Sequence, residues 1–214
     1  MAWYVFAIVD RPPAERPGRG LAGALAARQV PGGFAIVERR ADVPPVELGA
    51  LKQHDAVLTR VAEAVPAILP VRFGTLLELE EIEAALDERE EELAEAFDRV
   101  RDRVQFTWRR PGSDVRSPAS TARPASGKEY LRRVAHAAKP PPAAFRSIRE
   151  TLRPLVAAER YQRATPSIPD SLYHLVGRDG AARYRLAARK LASADPAVRV
   201  TGPFPPFAFA PDLL

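Results

Sequence analysis

The chain has 214 residues, enough for one or two domains with a substantial hydrophobic core. Apolar residues make up 46% and charged residues 28%, as in globular proteins, and no apolar run approaches the roughly 18 residues of a membrane span. The absence of cysteine excludes disulfides, thiolate nucleophiles and cysteine-ligated zinc. The opening apolar run is too short for a signal peptide and lacks a preceding basic region, so we expect a cytoplasmic protein with no membrane partner.

The net charge of +5 is spread unevenly along the chain. Residues 1–104 carry 13 Lys and Arg against 19 Asp and Glu, a net −6, whereas residues 105–214 carry 19 against 8, a net +11. This asymmetry favours two units with different partners or with an electrostatic contact between them. A basic half is also what a nucleic-acid-binding module would carry, and that alternative predicts salt-dependent retention on DNA.

Hydrophobic periodicity predicts the elements of the first third of the chain. In order, they are a central strand at residues 3–9, a short alanine-rich helix at 21–29, a strand at 34–37 and an amphipathic helix at 46–65. Proline and glycine mark the boundaries: Pro31-Gly-Gly33 ends the first helix and Pro66 ends the second.

Residues 67–75 predict a buried strand that ends in a tight bend at Gly74. Pro70 lies inside this run and has no N–H to donate, so we expect an edge position or a bulge. Arg72 stands among apolar neighbours, where an unpaired charge would be costly. Strand alternation offers the simpler interpretation that Arg72 points to solvent.

The longest helical pattern runs from about residue 76 to residue 104. Its apolar positions form a single stripe, at Leu79, Ile82, Leu86, Leu93, Phe97, Val100 and Val104. Eleven acidic residues lie between Glu78 and Asp98, and three arginines follow them, an order that suits the helix macrodipole. We therefore predict one long acidic helix, with a solvated face or an acidic docking surface as the alternatives. Residues 105–109 predict a further strand.

A stretch rich in Pro, Ser and Arg at residues 111–126 predicts a linker. The expected organisation is therefore an N-terminal α+β domain at 1–110, the linker, and a C-terminal α+β domain at 127–214 that ends in a Pro- and Phe-rich tail. Its predicted elements are a basic helix at 128–138, a helix at 143–163 kinked at Pro154, a strand at 171–176, a helix at 181–193 and a strand at 198–201.

The sequence contains no recognisable catalytic, cofactor or metal motif. Its three histidines lack paired-ligand spacing, and no glycine-rich phosphate loop is present. On its helix, His54 with Asp55 is interpreted as a surface pair. A small-molecule enzyme of ferredoxin-like fold would need a pocket with convergent polar groups, and the sequence offers no candidates for it.

Four stretches together resemble the gas vesicle GvpL/GvpF family. They are Leu69-Pro-Val-Arg-Phe-Gly-Thr75 before the acidic helix, His54-Asp-Ala-Val-Leu58 upstream of it, Ser126-Gly-Lys-Glu-Tyr-Leu-Arg-Arg133, and the ending Thr201-Gly-Pro-Phe-Pro-Pro-Phe-Ala-Phe209. Their order and spacing cover nearly the whole chain.

The resemblance implies two small α/β-sandwich domains of ferredoxin-like character and a role that is not enzymatic. It implies a gas vesicle accessory or minor structural protein that binds the hydrophobic shell subunit, acts with other accessory proteins and supports assembly. An apolar shell subunit is prone to aggregate, and an exposed strand edge or aromatic groove could hold it. The candidate binding residues are Pro70, Arg72, Phe73, Phe204, Phe207 and Phe209, although the three tail phenylalanines could also simply pack.

Overall fold

A computed structural model describes residues 2–110, 145–165 and 168–214. The chain divides into two units, the first comprising residues up to 104 together with 204–214, and the second residues 105–203. Residues 204–214 therefore group with the N-terminal unit, whereas the sequence assigned them to the C-terminal domain. The predicted linker and the predicted helix at 128–138 lie outside the described residues, so the expected domain boundaries stay a prediction.

The first unit is built on an antiparallel sheet. Its strands are β1 (Trp3–Val9), β2 (Leu25–Val30), β3 (Gly33–Arg39), β4 (Ile68–Pro70) and the short β5 (Leu76–Leu77). The order is β2-β3-β1-β4, and β5 also pairs with β1. All seven residues of β1 are buried, which explains why this central strand is apolar throughout instead of alternating.

The helix predicted at residues 21–29 is wrong, because residues 25–30 form β2. Val30 pairs with Gly33 across a two-residue turn of Pro31 and Gly32, and Gly32 adopts the positive φ of 71° that this turn requires. Alanine favours a helix by less than about 1 kcal/mol per residue, and pairing with β3 outweighs that preference. Three strands therefore precede the first helix of this unit.

Three helices complete the first unit, namely α1 (Leu48–Ala64), α2 (Leu79–Asp87) and α3 (Glu90–Val100). The single long acidic helix is thus a wrong prediction, since the chain breaks at Glu88 and Arg89. Arg89 falls where the apolar stripe is interrupted, so a continuous helix would turn this charge towards the core. The break leaves the Arg89 side chain 34% exposed, and it restarts α3 with three acids in its first turn.

The second unit has the element order of a ferredoxin-like fold. Its elements are β6 (Arg103–Arg110), α4 (Arg146–Leu152), a 3-10 turn (Arg153–Leu155), β7 (Ala158–Gln162), β8 (Asp170–Gly177), α5 (Ala181–Ala194) and β9 (Arg199–Phe204). The described elements give β-α-β-β-α-β, and the sheet order is β7-β8-β6-β9. The α+β fold class is therefore confirmed.

The kinked helix predicted at 143–163 is wrong in its second half. Pro154 has no N–H and cannot continue an α-helix, so the chain passes through the 3-10 turn and leaves as β7. β7 pairs with β8 from Ala158 to Gln162, which satisfies backbone groups that a longer helix would have paired internally.

Candidate partner-binding surface

The chain turns sharply after β4, in a segment held to the sheet by hydrogen bonds. The Val71 N–H donates to the Phe6 carbonyl at 2.8 Å, and the Thr75 hydroxyl donates to the Arg72 carbonyl at 2.9 Å. Gly74 has φ of 93°, so the bend predicted at this glycine is confirmed. We call residues 71–75 the β4 turn.

Buried aromatic and imidazole groups support the β4 turn from beneath. The Tyr4 hydroxyl lies 3.0 Å from Nδ1 of His54 and accepts the Gly74 N–H at 3.2 Å. Phe73 packs edge-on against both rings, with its centroid 5.4 Å from that of His54. Phe73 is therefore partly buried and anchors the turn.

His54 lies in the core of the first unit, so its interpretation as part of a surface pair is wrong. It is 5% exposed and stacks on Phe6, with ring centroids 5.2 Å apart. Burial lowers the pKa of His54 to about 4, although a hydrogen bond to the Val71 backbone acts in the opposite direction. The imidazole is therefore neutral at pH 7 and serves as a hydrogen-bonding core residue.

The predicted strand ends at Pro70 and its three residues are all buried, so strand alternation does not explain the position of Arg72. Arg72 lies in the β4 turn, where its side chain is exposed, as expected, and meets residue 212. Its Nη2 donates to Oδ2 of Asp212 at 2.7 Å, with the two side chains 74% and 69% exposed. The Arg89 Nη1 donates to the backbone carbonyl of Asp212 at 2.5 Å. Asp212 is thus bound by two arginines of the first unit.

Residues 211–214, which we call the C-terminal segment, lie against residues 69–72. The two stretches line one small cavity, and Leu213 is only 6% exposed. No sequence pattern pointed to Asp212 or Leu213, and Arg89 stood out only as a charge that interrupts the apolar stripe. The Arg72–Asp212 contact spans 140 positions, and local periodicity carries no information about such a separation.

The other predicted binding residues differ in accessibility. Pro70 is buried and pairs with Ala7 in β4, the last strand of the sheet order, so the predicted edge position is confirmed. Phe209 is 8% exposed and packs. Phe204 and Phe207 are 36% and 39% exposed. Arg72, Phe204 and Phe207 are therefore the members whose side chains an approaching protein could touch.

A group of exposed apolar side chains precedes and begins α1. Val43, Val46, Leu48 and Leu51 are 50%, 79%, 68% and 38% exposed, and we call them the apolar patch. Val43, one member of the patch, adjoins the β4 turn, because its Cγ1 atom lies 3.6 Å from where a Cβ on Gly74 would be.

A series of buried side chains joined by hydrogen bonds crosses the second unit. Trp108 Nε1–H donates to the Tyr184 hydroxyl at 2.8 Å, and that hydroxyl lies 2.7 Å from Nδ1 of His174. Nε2 of His174 lies 3.2 Å from Oε2 of Glu159. This connectivity resembles a nucleophile–histidine–carboxylate relay, but Tyr184 and His174 have no exposed surface, so neither can reach a substrate. Burial lowers the pKa of His174 and raises that of Tyr184, which keeps both groups neutral.

The buried hydrogen bonds of Tyr184 should contribute to the stability of the protein, and Tyr184→Phe tests this. Losing the hydroxyl leaves the Trp108 N–H and His174 Nδ1 unpaired, so we expect the free energy of unfolding to fall by about 2 kcal/mol. Urea denaturation measures this change. Tyr173→Phe, which removes a partly buried hydroxyl bonded to Gln162 at 2.6 Å, is the control and should cost less than about 1 kcal/mol. Equal costs for the two variants would contradict the structural role.

Within the described ranges, no cluster of three His, Asp or Glu side chains is arranged to hold a metal ion. Along the same residues, no helix combines the length and apolarity needed to cross a bilayer.

The fold defines the class as an α+β protein with two sheets, the second of ferredoxin-like order. Residues 2–211 match the family described as gas vesicle synthesis protein GvpL/GvpF, and the chain belongs to this family. No curated protein sequence matches the chain.

Two solved structures share the fold. The gas vesicle protein GvpF from Anabaena sp. PCC7120 is 15% identical with a TM-score of 0.74, and the match covers 98% of this chain and 96% of that one. GvpF from Microcystis aeruginosa is 15% identical with a TM-score of 0.73, and the match covers 98% and 99% of the two chains.

Proposed function

We propose that this protein is a gas vesicle accessory or minor structural protein that binds the hydrophobic shell subunit and supports vesicle assembly. The observation that carries the proposal is membership of the GvpL/GvpF family over residues 2–211. It follows that the protein resides in the cytoplasm in association with gas vesicles, among the shell subunit and other accessory proteins.

The apolar patch supplies a physical basis for such binding. Exposed apolar side chains that lie together are typical of protein-interaction sites, and a shell subunit with an apolar face is a partner of matching chemistry. Val43 of the patch adjoins the β4 turn. The turn also carries Arg72, whose side chain is exposed. We therefore propose a contact surface that joins the patch to Arg72, with Phe204 and Phe207 as further accessible apolar contacts.

Replacing Val46 and Leu48 together by serine should weaken retention of the shell subunit at least about tenfold. Full burial of one such side chain contributes about 1.5–3 kcal/mol, and about 1.4 kcal/mol corresponds to a factor of ten. The measurement is the amount of shell subunit that co-purifies with the tagged protein after co-expression. Both residues are highly exposed, so the fold should be unaffected.

Leu186→Ser is the matched control. Leu186 is 60% exposed on α5 of the second unit, so the variant loses a comparable apolar side chain away from the patch. Retention should equal that of the wild type. If the folded double variant retains the shell subunit as well as the wild type does, the patch is not the binding surface. If the wild type retains none, the proposed function fails.

A further inference from the structure

The C-terminal segment of the same chain lies against β4 and the turn that follows it. β4 ends the strand order, with β1 on one side and no further strand on the other within the described residues. Beside it, Leu213 is buried and Asp212 is bound by Arg72 and Arg89. In the C-terminal segment, residues 69–72 therefore bind a carboxylate followed by a leucine side chain.

The contacts of Asp212 are weak enough for another peptide segment to displace the C-terminal segment. The Arg72–Asp212 pair is more than two-thirds exposed on both sides, and such a pair changes an equilibrium by at most about fivefold. Pro70 presents no N–H, so an extended segment here is held by its carboxylate and apolar side chains more than by a continuous backbone ladder. The recognition elements are thus two arginines and the apolar lining, all of which remain if the C-terminal segment leaves.

We propose that residues 69–72, with Arg89, form a groove for an extended segment of the shell subunit that carries an acidic residue followed by leucine-like side chains. The C-terminal segment fills this groove in the free protein and is displaced when the shell subunit binds. The identity of this occupant rests on the proposed function. Arg72 selects the carboxylate, Arg89 binds the backbone carbonyl of the same residue, and the site occupied by Leu213 selects the apolar residue.

Two variants break the same ion pair but should change binding in opposite directions. Asp212→Arg repels the C-terminal segment and leaves Arg72 free, so binding in the groove should strengthen about fivefold. Arg72→Glu also repels the segment but removes the groove's cation, so binding should fall below that of the wild type. A role limited to stability predicts the same effect for both variants.

The first probe is a fluorescent synthetic peptide of residues 207–214, Phe-Ala-Phe-Ala-Pro-Asp-Leu-Leu, titrated into the full-length protein by anisotropy. Affinity should rank Asp212→Arg above wild type above Arg72→Glu. A peptide carrying Asp212→Arg should reverse the order and bind the Arg72→Glu protein best. Arg183→Glu, an exposed charge reversal on α5, should match the wild type. Binding that changes in the same direction for both ion-pair variants overturns the groove.

The second probe is the co-purified shell subunit. Asp212→Arg should raise its recovery and Arg72→Glu should lower it, with thermal unfolding confirming that both proteins are folded. If the peptide follows the expected order while shell-subunit recovery does not, the shell subunit is not the occupant and the proposal is overturned. The Val46 and Leu48 result decides the apolar patch separately, so failure of the groove and failure of the proposed function remain distinguishable.

Discussion

Replacing Glu38 by glutamine should lower the free energy of unfolding by about 3 kcal/mol. Glu38 is 1% exposed on β3, and its carboxylate accepts the backbone N–H groups of Leu21, Ala22 and Gly23 at 2.6, 2.8 and 2.5 Å. An amide offers one oxygen, and its NH₂ would face a backbone N–H as a second donor. At least one buried donor would lose its acceptor, and the remaining bonds would lose the benefit of the negative charge.

Urea denaturation measures this loss, and amide hydrogen exchange localises it. The N–H groups of residues 21–23 should exchange faster in the variant, because the carboxylate is what holds this loop. Glu63→Gln makes the same change at an exposed position of α1 and should alter stability by less than about 0.5 kcal/mol. A cost below about 1 kcal/mol for Glu38→Gln would contradict this account of the loop.

Lowering the pH from 7 to 4 should remove about 3 kcal/mol of stability through His54 alone. The pKa of His54 is lowered from 6.5 to about 4 by burial. Between these values the unfolded chain binds a proton that the folded chain cannot, so stability rises with pH across this window. The contribution is complete above about pH 6.5 and is lost as the pH falls towards 4. His174, whose pKa burial also lowers, acts in the same direction.

The pH dependence has two independent measurements. Urea denaturation from pH 4 to pH 8 should give a shallower slope for His54→Asn than for the wild type, even though the variant is less stable at pH 7. NMR titration of the imidazole carbons should find the His54 ring still neutral at pH 5. A His54 resonance that titrates near 6.5 in the folded protein would refute the buried, neutral assignment.

Local composition was sufficient to predict several elements of the fold. The apolar run of residues 3–9 predicted a buried central strand, and β1 occupies these positions. Gly74 predicted a tight bend and Pro70 an edge strand, because each restricts the backbone wherever it occurs. The four family-like stretches led to the GvpL/GvpF family, which the match over residues 2–211 confirms.

The errors occurred where distant residues outweighed local preference. Alanines at 24, 26 and 27 favour a helix, but pairing with β3 and the carboxylate of Glu38 hold residues 21–30 in a loop and a strand. The acidic pattern was continuous, yet keeping Arg89 out of the core divided it into α2 and α3.

The residues of the candidate surface also divide into those that the local sequence identifies and those that depend on distant contacts. Arg72 was identifiable as an unusual charge in an apolar stretch of sequence, since its chemistry can be read at one position. Its partner Asp212 and the burial of His54 depend on contacts across 140 and 50 positions. Side-chain periodicity reports which residues share a face, but only packing in three dimensions sets what that face meets. The sequence was therefore sufficient to identify the family and to predict β4, which overlaps one of the stretches typical of that family. Only the fold placed the C-terminal segment beside β4.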